Sequence, residues 1–487
     1  MNTKFLTFVL LMLLLSVLVF SQPGQYIVAA DGSATYNTIQ AAIDACPNGE
    51  RSIVFVKNGT YYGQTYLGTK TLASTKLISL IGESRDGVIL TYDKALPNVS
   101  KFEDATTFQI YAKDFYAENI TFANTAGVSA GQALALYTAG DRATFKNCYL
   151  KGFQDTYRSK KGTRAYFKEC KIEGTVDFIY AGGTVFFDDC ELYCLQGGGY
   201  IVAPEDAFQT IPKTSTVCDK FLRLGFIFRN CNITAQTGVA DNSYYLGRPW
   251  NTTAGAFYLN CTLGKHINTK GWKEWNGSET TASFAEYKSL NPDGSLVDVS
   301  SRVSWSFQLP EADVNNLFTT AGIYARISTE LYQPEPICIS PVAPNILTSP
   351  PAIKWNKVNG AIAYVISKNN RYLTITTDTI FGDLTLDVGI ISVKTMGSIG
   401  QLSKQATFAT ALSSTNSEKL KIKFENGTLI SSQPVRITVF SAAGKMAYNS
   451  KNYVTELAIQ LKVGSYIIKA TAIDGAIYTK KLIYTPF

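Results

Sequence analysis

The chain has 487 residues, of which 46% are hydrophobic and 17% are charged. This composition excludes a disordered chain, and the length allows about three domains. The net charge of +7 does not indicate nucleic-acid binding, because residues 331–487 carry the excess, with 16 Lys and Arg against 8 Asp and Glu. Scattered lysines of this kind are typical of a solvated surface.

The first 21 residues have the layout of a secretory signal peptide. Lys4 precedes an apolar run that ends at Phe20, and Ser21 stands before the expected cleavage point. We therefore expect residues 1–21 to be removed from a protein that is secreted or held at the cell surface. A permanent membrane anchor is the alternative, although the run is short for a bilayer span.

Residues 22–331 contain a repeat in which an aromatic residue stands three positions before a cysteine. The first three units are 22 and 20 residues apart, which is the length of one solenoid coil. Short apolar runs separated by Gly, Asp and Asn favour strands over helices. The pairs are Phe145 and Cys148, Phe167 and Cys170, Phe187 and Cys190, Phe228 and Cys231, and Tyr258 and Cys261. The repeat predicts a parallel β-helix in an all-β chain.

Cysteine and histidine usage limits the possible chemistry. Five of the nine cysteines occupy the repeat position, where we expect them to stack unpaired inside the coils. A disulfide is expected between Cys194 and Cys218. No Cys-x-x-Cys occurs and His266 is the only histidine, so a zinc site is not expected and histidine-dependent catalysis would have to use His266.

Three further segments are predicted after the solenoid. Six prolines over residues 332–351 predict a linker. Residues 352–412 contain short alternating runs around Trp355 and Tyr364, which resemble a fibronectin type III sandwich that would be a spacer or a module close to the sugar. The runs at 435–440, 463–469 and 480–482 resemble the C-terminal sorting domain of type IX secretion substrates. That resemblance over 413–487 implies export by outer-membrane secretion machinery, and a generic β-sandwich is the alternative.

Two aspartates occupy equivalent positions on consecutive coils. Asp155 follows Cys148 by seven residues, and Asp177 follows Cys170 by seven. Equivalent residues on stacked parallel strands lie about 5 Å apart, so the two carboxylates would face each other. They cannot both ionise freely, so the pKa of one rises while a nearby cation keeps the other charged. Such a pair supplies a general acid and a nucleophile.

Amides and an arginine accompany the carboxylates. Gln132 lies 22 residues before Gln154, which directly precedes Asp155. This amide column suits a polar site, and a ladder that only stabilises the coils is the alternative. Arg248 is the candidate cation because a guanidinium binds a carboxylate through two hydrogen bonds, and an ion pair that only joins coils is the alternative. Trp250 would offer a flat face to a sugar ring.

These residues stand in four blocks that resemble, in sequence and order, the signature blocks of the pectin methylesterase family. The similarity extends from Tyr26 through Trp272. The blocks are Gly131-Gln132-Ala133-Leu134-Ala135-Leu136, Gly152-Phe153-Gln154-Asp155-Thr156, Gly174-Thr175-Val176-Asp177-Phe178-Ile179 and Tyr245-Leu246-Gly247-Arg248-Pro249-Trp250. The resemblance implies a right-handed, pectin-lyase-like β-helix followed by two small β-sandwich-like domains.

The resemblance also implies the activity and the roles of its residues. The substrate would be methyl-esterified homogalacturonan, cleaved to pectate and methanol without a metal or organic cofactor, by a protein expected to be a monomer. Asp177 would be the nucleophile, Asp155 the general acid and base, and Arg248 the residue that orients Asp177. Gln132 and Gln154 would stabilise the oxyanion. The sugar cleft would be lined by Thr107, Tyr180, Arg248, Trp250 and Trp272.

The chain departs from the family pattern beside the first aspartate. Tyr157 and Arg158 stand where the family usually has Leu and Tyr, so Arg158 is expected to bind a free galacturonate carboxylate. Tyr180 replaces another aromatic residue, and Ala181 replaces a common glycine, which predicts altered packing there.

Two other functions remain open on the sequence. Paired carboxylates about 5 Å apart also occur in retaining glycosidases, so a different β-helix enzyme that cleaves polysaccharides, a glycosidase or a lyase, is the first. A non-catalytic pectin-binding surface protein is the second. Asp155, Asp177 and Arg248 together argue against the second, since binding alone needs no nucleophile and acid.

Overall fold

The computed structural model describes residues 24–71, 74–205, 210–211, 222–348, 352–382, 389–410, 422–425, 428–441, 445–450, 452–459, 461–472 and 477–484. The expected signal peptide and Cys218 lie outside these residues. Within them, no helix has both the length and the hydropathy needed to span a membrane.

Most of the described chain winds into three parallel sheets that run along a solenoid, with equivalent residues of neighbouring coils paired in register. Sheet 1 contains Tyr26–Val28, Arg51–Val56, Leu77–Gly82, Tyr116–Glu118, Ala143–Lys146, Arg164–Lys168, Thr184–Asp188, Phe226–Arg229, Gly255–Leu259, Ser283–Tyr287 and Phe307–Gln308. Sheet 2 contains Thr65–Leu67, Thr106–Ile110, Leu134–Thr138, Tyr157–Ser159, Val176–Ala181, Tyr200–Pro204 and Tyr245–Gly247. Sheet 3 contains Gly59–Tyr62, Val88–Tyr92, Thr121–Asn124, Tyr149–Lys151, Lys171–Gly174, Glu191–Cys194, Asn232–Ala235 and Thr262–Leu263. The predicted parallel β-helix is confirmed.

The aromatic residues of the repeat form one continuous ladder inside the solenoid. The Phe145 and Phe167 rings stack with centroids 4.5 Å apart, and those of Phe167 and Phe187 stack at 4.9 Å. The ladder continues through Phe228 to Tyr258. Each coil therefore buries its aromatic ring against the next coil, as parallel strand spacing allows.

The repeat cysteines form a second ladder beside the rings. All five are buried free thiols, and the Cys170 Sγ, for example, donates to the Phe145 carbonyl of the preceding coil at 3.6 Å. Cys194 is also a buried free thiol, so the expected disulfide to Cys218 is wrong. Burial raises the pKa of the Cys194 thiol well above its usual range, which makes the thiolate unfavourable.

The polar residue before each repeat cysteine makes the corner between sheets 1 and 3. Its backbone is left-handed in every coil, a conformation that Asn and Asp tolerate better than most residues. These corner residues are Asn147, Glu169, Asp189, Asn230 and Asn260, with φ between 47° and 56°. Corner chemistry thus explains why Asn, Asp or Glu accompanies each cysteine in the sequence.

Short helices cover exposed parts of the solenoid. The helix Ile39–Ala45, whose N-cap Thr38 accepts a hydrogen bond from Ala41 N, packs on the first strands. The helices Glu311–Leu317, Thr320–Ile327 and Pro334–Ile337 lie at the outer face of sheet 1 or beside it. The 3-10 helices are Leu96–Asn98, Phe102–Ala105 and Ser278–Thr280, and Thr210–Ile211 pairs with Leu222–Arg223 as an antiparallel hairpin.

The segment predicted as a linker begins as a packed element. Tyr332 is buried, and its hydroxyl donates to the Ala143 carbonyl at 2.8 Å. Cys338 is buried in the same cluster. The prediction of a free linker is therefore corrected for residues 332–338, because these residues complete the cover of sheet 1.

The C-terminal part consists of small antiparallel sheets. The first unit pairs Ile346–Thr348, Ile353–Trp355 and Ile380–Phe381 in one sheet, and Ala363–Lys368, Arg371–Thr376, Gly389–Met396 and Ala406–Thr410 in another. The last sheet contains Ile422–Glu425, Thr428–Ser441, Met446–Asn449, Val454–Ala458, Gly464–Ala472 and Ile477–Tyr484. The first unit packs directly on sheet 1, where Val365, Met396 and Leu402 join Phe55 and Ile81 in one core.

Candidate active site

Sheet 2 carries the two aspartates on adjacent coils. Tyr157 pairs with Ile179 in parallel register, which makes Asp155 and Asp177 equivalent along the solenoid. The Asp155 amide donates to the Val176 carbonyl at 3.1 Å. The carboxylates therefore belong to neighbouring strands, about 5 Å apart in the hydrogen-bonding direction.

Both aspartates adopt left-handed backbone conformations. The φ angle is 63° at Asp155 and 49° at Asp177, where most L-residues are strained. The register between Asp177's strand and Tyr200–Pro204 also shifts between Val176 and Ile179. Such irregularities redirect side chains at functional sites, and here they accompany two buried carboxylates.

Arg248 holds Asp177 through two hydrogen bonds. Its Nε donates to Oδ1 at 3.0 Å and its Nη2 donates to Oδ2 at 2.6 Å. The Arg248 amide donates to the Val202 carbonyl at 3.0 Å, which fixes the backbone beside sheet 2. This bidentate pair favours the charged form of Asp177.

The two carboxyl groups differ in their environments. Burial, followed by the charge of Asp177, raises the pKa of Asp155 to about 8. Burial also raises the pKa of Asp177, but the hydrogen bonds and the charge of Arg248 oppose this rise. Asp155 therefore holds a proton near neutral pH beside an aspartate that is paired with a cation.

Arg158 lies among aromatic rings next to Asp155. Its Cζ is 4.2 Å from the centre of the Phe102 ring and 5.1 Å from that of Tyr180. The Tyr180 hydroxyl interacts with both Asp155 and Arg158. The charge of Arg158 opposes the rise in the pKa of Asp155, so this departure from the family pattern acts directly on the site.

The two glutamines lie beside the carboxylates. Gln132 forms a parallel bridge with Gln154 on the next coil, and both side chains are half-buried. Trp250 is 39% exposed, and its ring centre lies 6.1 Å from that of Tyr180. Amide donors and a flat aromatic face are thus available on the same surface.

Two expected cleft residues do not reach this surface. Thr107 is fully buried, and its hydroxyl donates to the Ala123 carbonyl at 2.7 Å. Trp272 is also fully buried, with its ring edge-to-face against Phe284. The expectation that Thr107 and Trp272 line the cleft is therefore corrected, because neither has exposed surface for a sugar.

Sequence reasoning missed other aromatic residues at the site. Tyr200 and Trp275 contact the Arg248 guanidinium, and Phe102 contacts that of Arg158. Trp275 lies three residues after Trp272, beyond a left-handed turn at Gly271 with φ of 72°. The nearby tryptophan was the available signal, but the block resemblance favoured the first of the two.

A cleft of about 640 Å³ adjoins the site on the N-terminal side of sheet 2. Phe102 is part of its lining and also contacts Arg158. Tyr66, Lys101 and Tyr111 line the same cleft. The surface around the carboxylates therefore continues along the solenoid axis, as an extended ligand requires.

A serine–histidine site is not formed. Residues 127–131 read Gly-Val-Ser-Ala-Gly, but Ser129 is exposed in a loop between two strands and not at a strand-to-helix turn. His266 is buried, and its Nε2 has no hydrogen-bond partner within the described part of the chain. Burial lowers the pKa of His266 to about 4.

The profile of the pectinesterase family matches residues 25–324, which include all the site residues above. The chain belongs to the pectinesterase family. Its pectinesterase region is 32% identical over 285 residues to a probable pectinesterase/pectinesterase inhibitor of Arabidopsis thaliana, covering 58% of this chain and 52% of that protein. A Brassica napus relative with the same description is 30% identical over 308 residues, covering 61% and 50%. The chain spans about half the length of these curated relatives.

Solved structures share the pectinesterase fold. The pectin methylesterase from carrot superposes with a TM-score of 0.55 and 26% identity, covering 63% of this chain and 94% of that one. The enzyme from Aspergillus niger gives a TM-score of 0.50 at 27% identity, covering 60% and 91%. A pectin methylesterase in complex with a hexasaccharide gives 0.50 at 25% identity, covering 64% and 99%.

Proposed function

We propose that this pectinesterase is a pectin methylesterase that hydrolyses the methyl esters of galacturonate in homogalacturonan to pectate and methanol. The observation that carries the proposal is the pair of buried aspartates, one with a raised pKa and the other bound by Arg248. Family membership and the names of the similar enzymes support the same reaction.

In the first half of the reaction, the Asp177 carboxylate attacks the ester carbonyl carbon. Gln132 and Gln154 donate hydrogen bonds to the oxygen that gains negative charge. The bond to the methoxy oxygen then breaks, and Asp155 gives its proton to the departing methanol. Galacturonate is left bonded to Asp177 through an acyl linkage.

In the second half, water resolves the acyl linkage. Asp155, now ionised, removes a proton from a water molecule, and the resulting hydroxide attacks the galacturonyl carbonyl. The acyl bond to Asp177 breaks, so the carboxylate is restored beside Arg248. Asp155 regains its proton, and the product is a galacturonate carboxyl group.

The substrate proposal is a polymer that lies along sheet 2. Trp250 would contact a sugar face, Tyr180 would contribute from the floor, and Arg158 would bind a free carboxylate next to the reacting ester. The hexasaccharide complex of a similar enzyme and the cleft at Phe102 support an extended ligand. A pectin that already contains free galacturonate would then be the preferred substrate.

The test measures methanol and chain length together, with highly methylated pectin as substrate. We expect methanol from the wild type, none from Asp177→Asn, and unchanged chain length in both. Chain shortening without methanol would establish the glycosidase or lyase alternative. Binding of pectin without either product would establish the non-catalytic alternative.

We also propose that the chain is exported by a signal peptide at 1–21 and a sorting domain at 413–487, and acts as a secreted or surface-bound monomer. The residue patterns of these two segments support the proposal. Removing residues 413–487 should leave the protein in the periplasm of a host with type IX secretion, whereas the full chain reaches the medium or surface. Equal export of both forms would contradict it.

A further inference from the structure

The Arg248 guanidinium rests against two aromatic rings. Its Cζ lies 3.9 Å from the centre of the Tyr200 ring and 4.1 Å from that of Trp275. Tyr245 stacks on Tyr200 with ring centres 5.8 Å apart and an interplanar angle of 16°. None of these three aromatic residues hydrogen-bonds Asp177 in the described structure.

Each ring is fixed by its own surroundings. Tyr200 and Tyr245 are register partners on neighbouring strands of sheet 2. The Trp275 amide donates to the Glu279 carboxylate at 3.0 Å, and the Trp275 side chain packs on a buried cluster that includes Tyr180 and Ala203. The rings are therefore held in place independently of Arg248.

The chemistry of guanidinium makes this arrangement useful. All its N–H donors lie in one plane, while its two faces are weakly hydrated and attract aromatic rings. Rings over the faces restrict the long arginine side chain without competing for its donors. The edge that carries Nε and Nη2 then remains available to Asp177.

We propose that Tyr200 and Trp275 are positioning residues that hold Arg248 in its bidentate contact with Asp177 and so keep the nucleophile ionised. The inference rests on the proposed function, because it assigns Asp177 as the nucleophile. It differs from a role in sugar binding: the rings act through Arg248, and their loss changes the protonation of Asp177.

The kinetic test uses Tyr200→Leu and Trp275→Leu, with Tyr200→Phe and Trp275→Phe as conservative variants. Loss of the Arg248 contact raises the pKa of Asp177, so the acidic limb of the pH profile of methanol release should move up by about one pH unit in the Leu variants. At the original midpoint, kcat falls several-fold and recovers at higher pH. The Phe variants should keep the wild-type limb.

Tyr245→Leu provides the matched control. Tyr245 stacks on Tyr200 but is not in contact with the Arg248 guanidinium, so the acidic limb should stay where it is. An increase in KM with an unmoved limb in both Tyr200→Leu and Trp275→Leu would overturn the proposal and make these rings simple sugar contacts.

Crystal structures of the two Leu variants test the inference without activity. We expect Arg248 to leave Asp177 in at least one of them, with both N–O distances beyond hydrogen-bonding range. Retention of both hydrogen bonds in both variants would overturn the proposal. A wild type that releases no methanol would refute the proposed function alone, since the structures still report whether the rings hold Arg248.

Discussion

Arg158 and Asp155 interact with the same hydroxyl group, that of Tyr180. Register places Arg158 opposite Tyr180 on the next coil and opposite Tyr137 on the preceding one. A permanent cation is thus built beside a carboxyl group whose pKa burial raises. The proton affinity of Asp155 is set by the competition between these two effects.

The first prediction concerns the alkaline limb of activity. Asp155 must carry a proton to release methanol, and its pKa is raised to about 8. The rate kcat/KM should therefore decline above about pH 8, since this parameter reports ionisation in the free enzyme. The measurement is methanol release from pH 5 to 10, with spontaneous hydrolysis subtracted. A rate still rising at pH 9.5 would contradict the assignment.

The second prediction concerns the charge of Arg158. Removing a nearby cation favours the neutral form of Asp155, so Arg158→Gln should move the alkaline limb upward by about half a pH unit or more. Arg158→Lys keeps the charge and should stay closer to the wild type. A downward shift in Arg158→Gln would be inconsistent with the geometry. The ratio of activities on highly and sparsely methylated pectin, measured with both variants, tests the carboxylate-binding role separately.

The third prediction links the site to stability. In the wild type, Asp155 ionises near its ordinary pKa of about 4 when unfolded but only near pH 8 when folded, so its burial costs stability progressively as pH rises through this window. Asp155→Asn removes that cost. Its free energy of unfolding, relative to wild type, should rise by about 2 kcal/mol between pH 4 and pH 8, as measured by denaturant titration.

A surface aspartate provides the opposite sign. Hydrogen bonds from Ser295 lower the pKa of Asp293, so Asp293→Asn should lose stability relative to wild type as pH rises through the acidic range. Parallel trends for Asp293→Asn and Asp155→Asn would show that burial of Asp155 is not the cause.

The 22-residue period predicted the stacking of Asp155 on Asp177, because a solenoid converts one period of sequence into one strand spacing. The same logic did not reach Arg248, since the chain between Phe187 and Phe228 is about two coils long and contributes only one strand pair to this ladder. There, the guanidinium chemistry and the family resemblance supplied the candidate.

Side-chain direction was the harder part to predict. Trp272 and Trp275 are both aromatic, but a left-handed turn at Gly271 turns Trp272 into the core and leaves Trp275 at Arg248. Thr107 lies inside a short strand whose five residues are all buried, so alternation gave no signal there. The packing of residues 352–410 on sheet 1 was equally hidden, because it depends on the outward face of a sheet that was expected to be solvated.

The fourth prediction uses the unusual backbone of Ala181. Ala181 has φ of 75°, where an L-residue costs about 1–2 kcal/mol and glycine is comfortable. Ala181→Gly should therefore change the free energy of unfolding by less than about 0.5 kcal/mol, because relief of strain offsets the lost methyl group. Ala203→Gly, at a similarly buried position on the next strand, lacks this relief and should cost about 1–2 kcal/mol. Equal losses in the two variants would contradict the strain.

The last prediction concerns the module that packs on sheet 1. Phe55, Ile81 and Tyr116 are buried beneath it, and the Leu402 amide donates to the buried Glu118 carboxylate at 3.1 Å. Removing residues 349–487 would expose these three side chains, each worth about 1.5–3 kcal/mol of burial, and would leave Glu118 with fewer partners. The truncated protein should lose methanol-releasing activity at a lower temperature than the full chain.

Truncation after residue 410 is the matched comparison, since it removes the final sheet and keeps the module on sheet 1. We expect its inactivation temperature to stay close to that of the full chain. If both truncations behaved like the full chain, sheet 1 would not depend on its cover, and residues 352–410 would act as the spacer expected from sequence. A loss confined to the longer deletion would instead make this module a structural part of the pectinesterase unit.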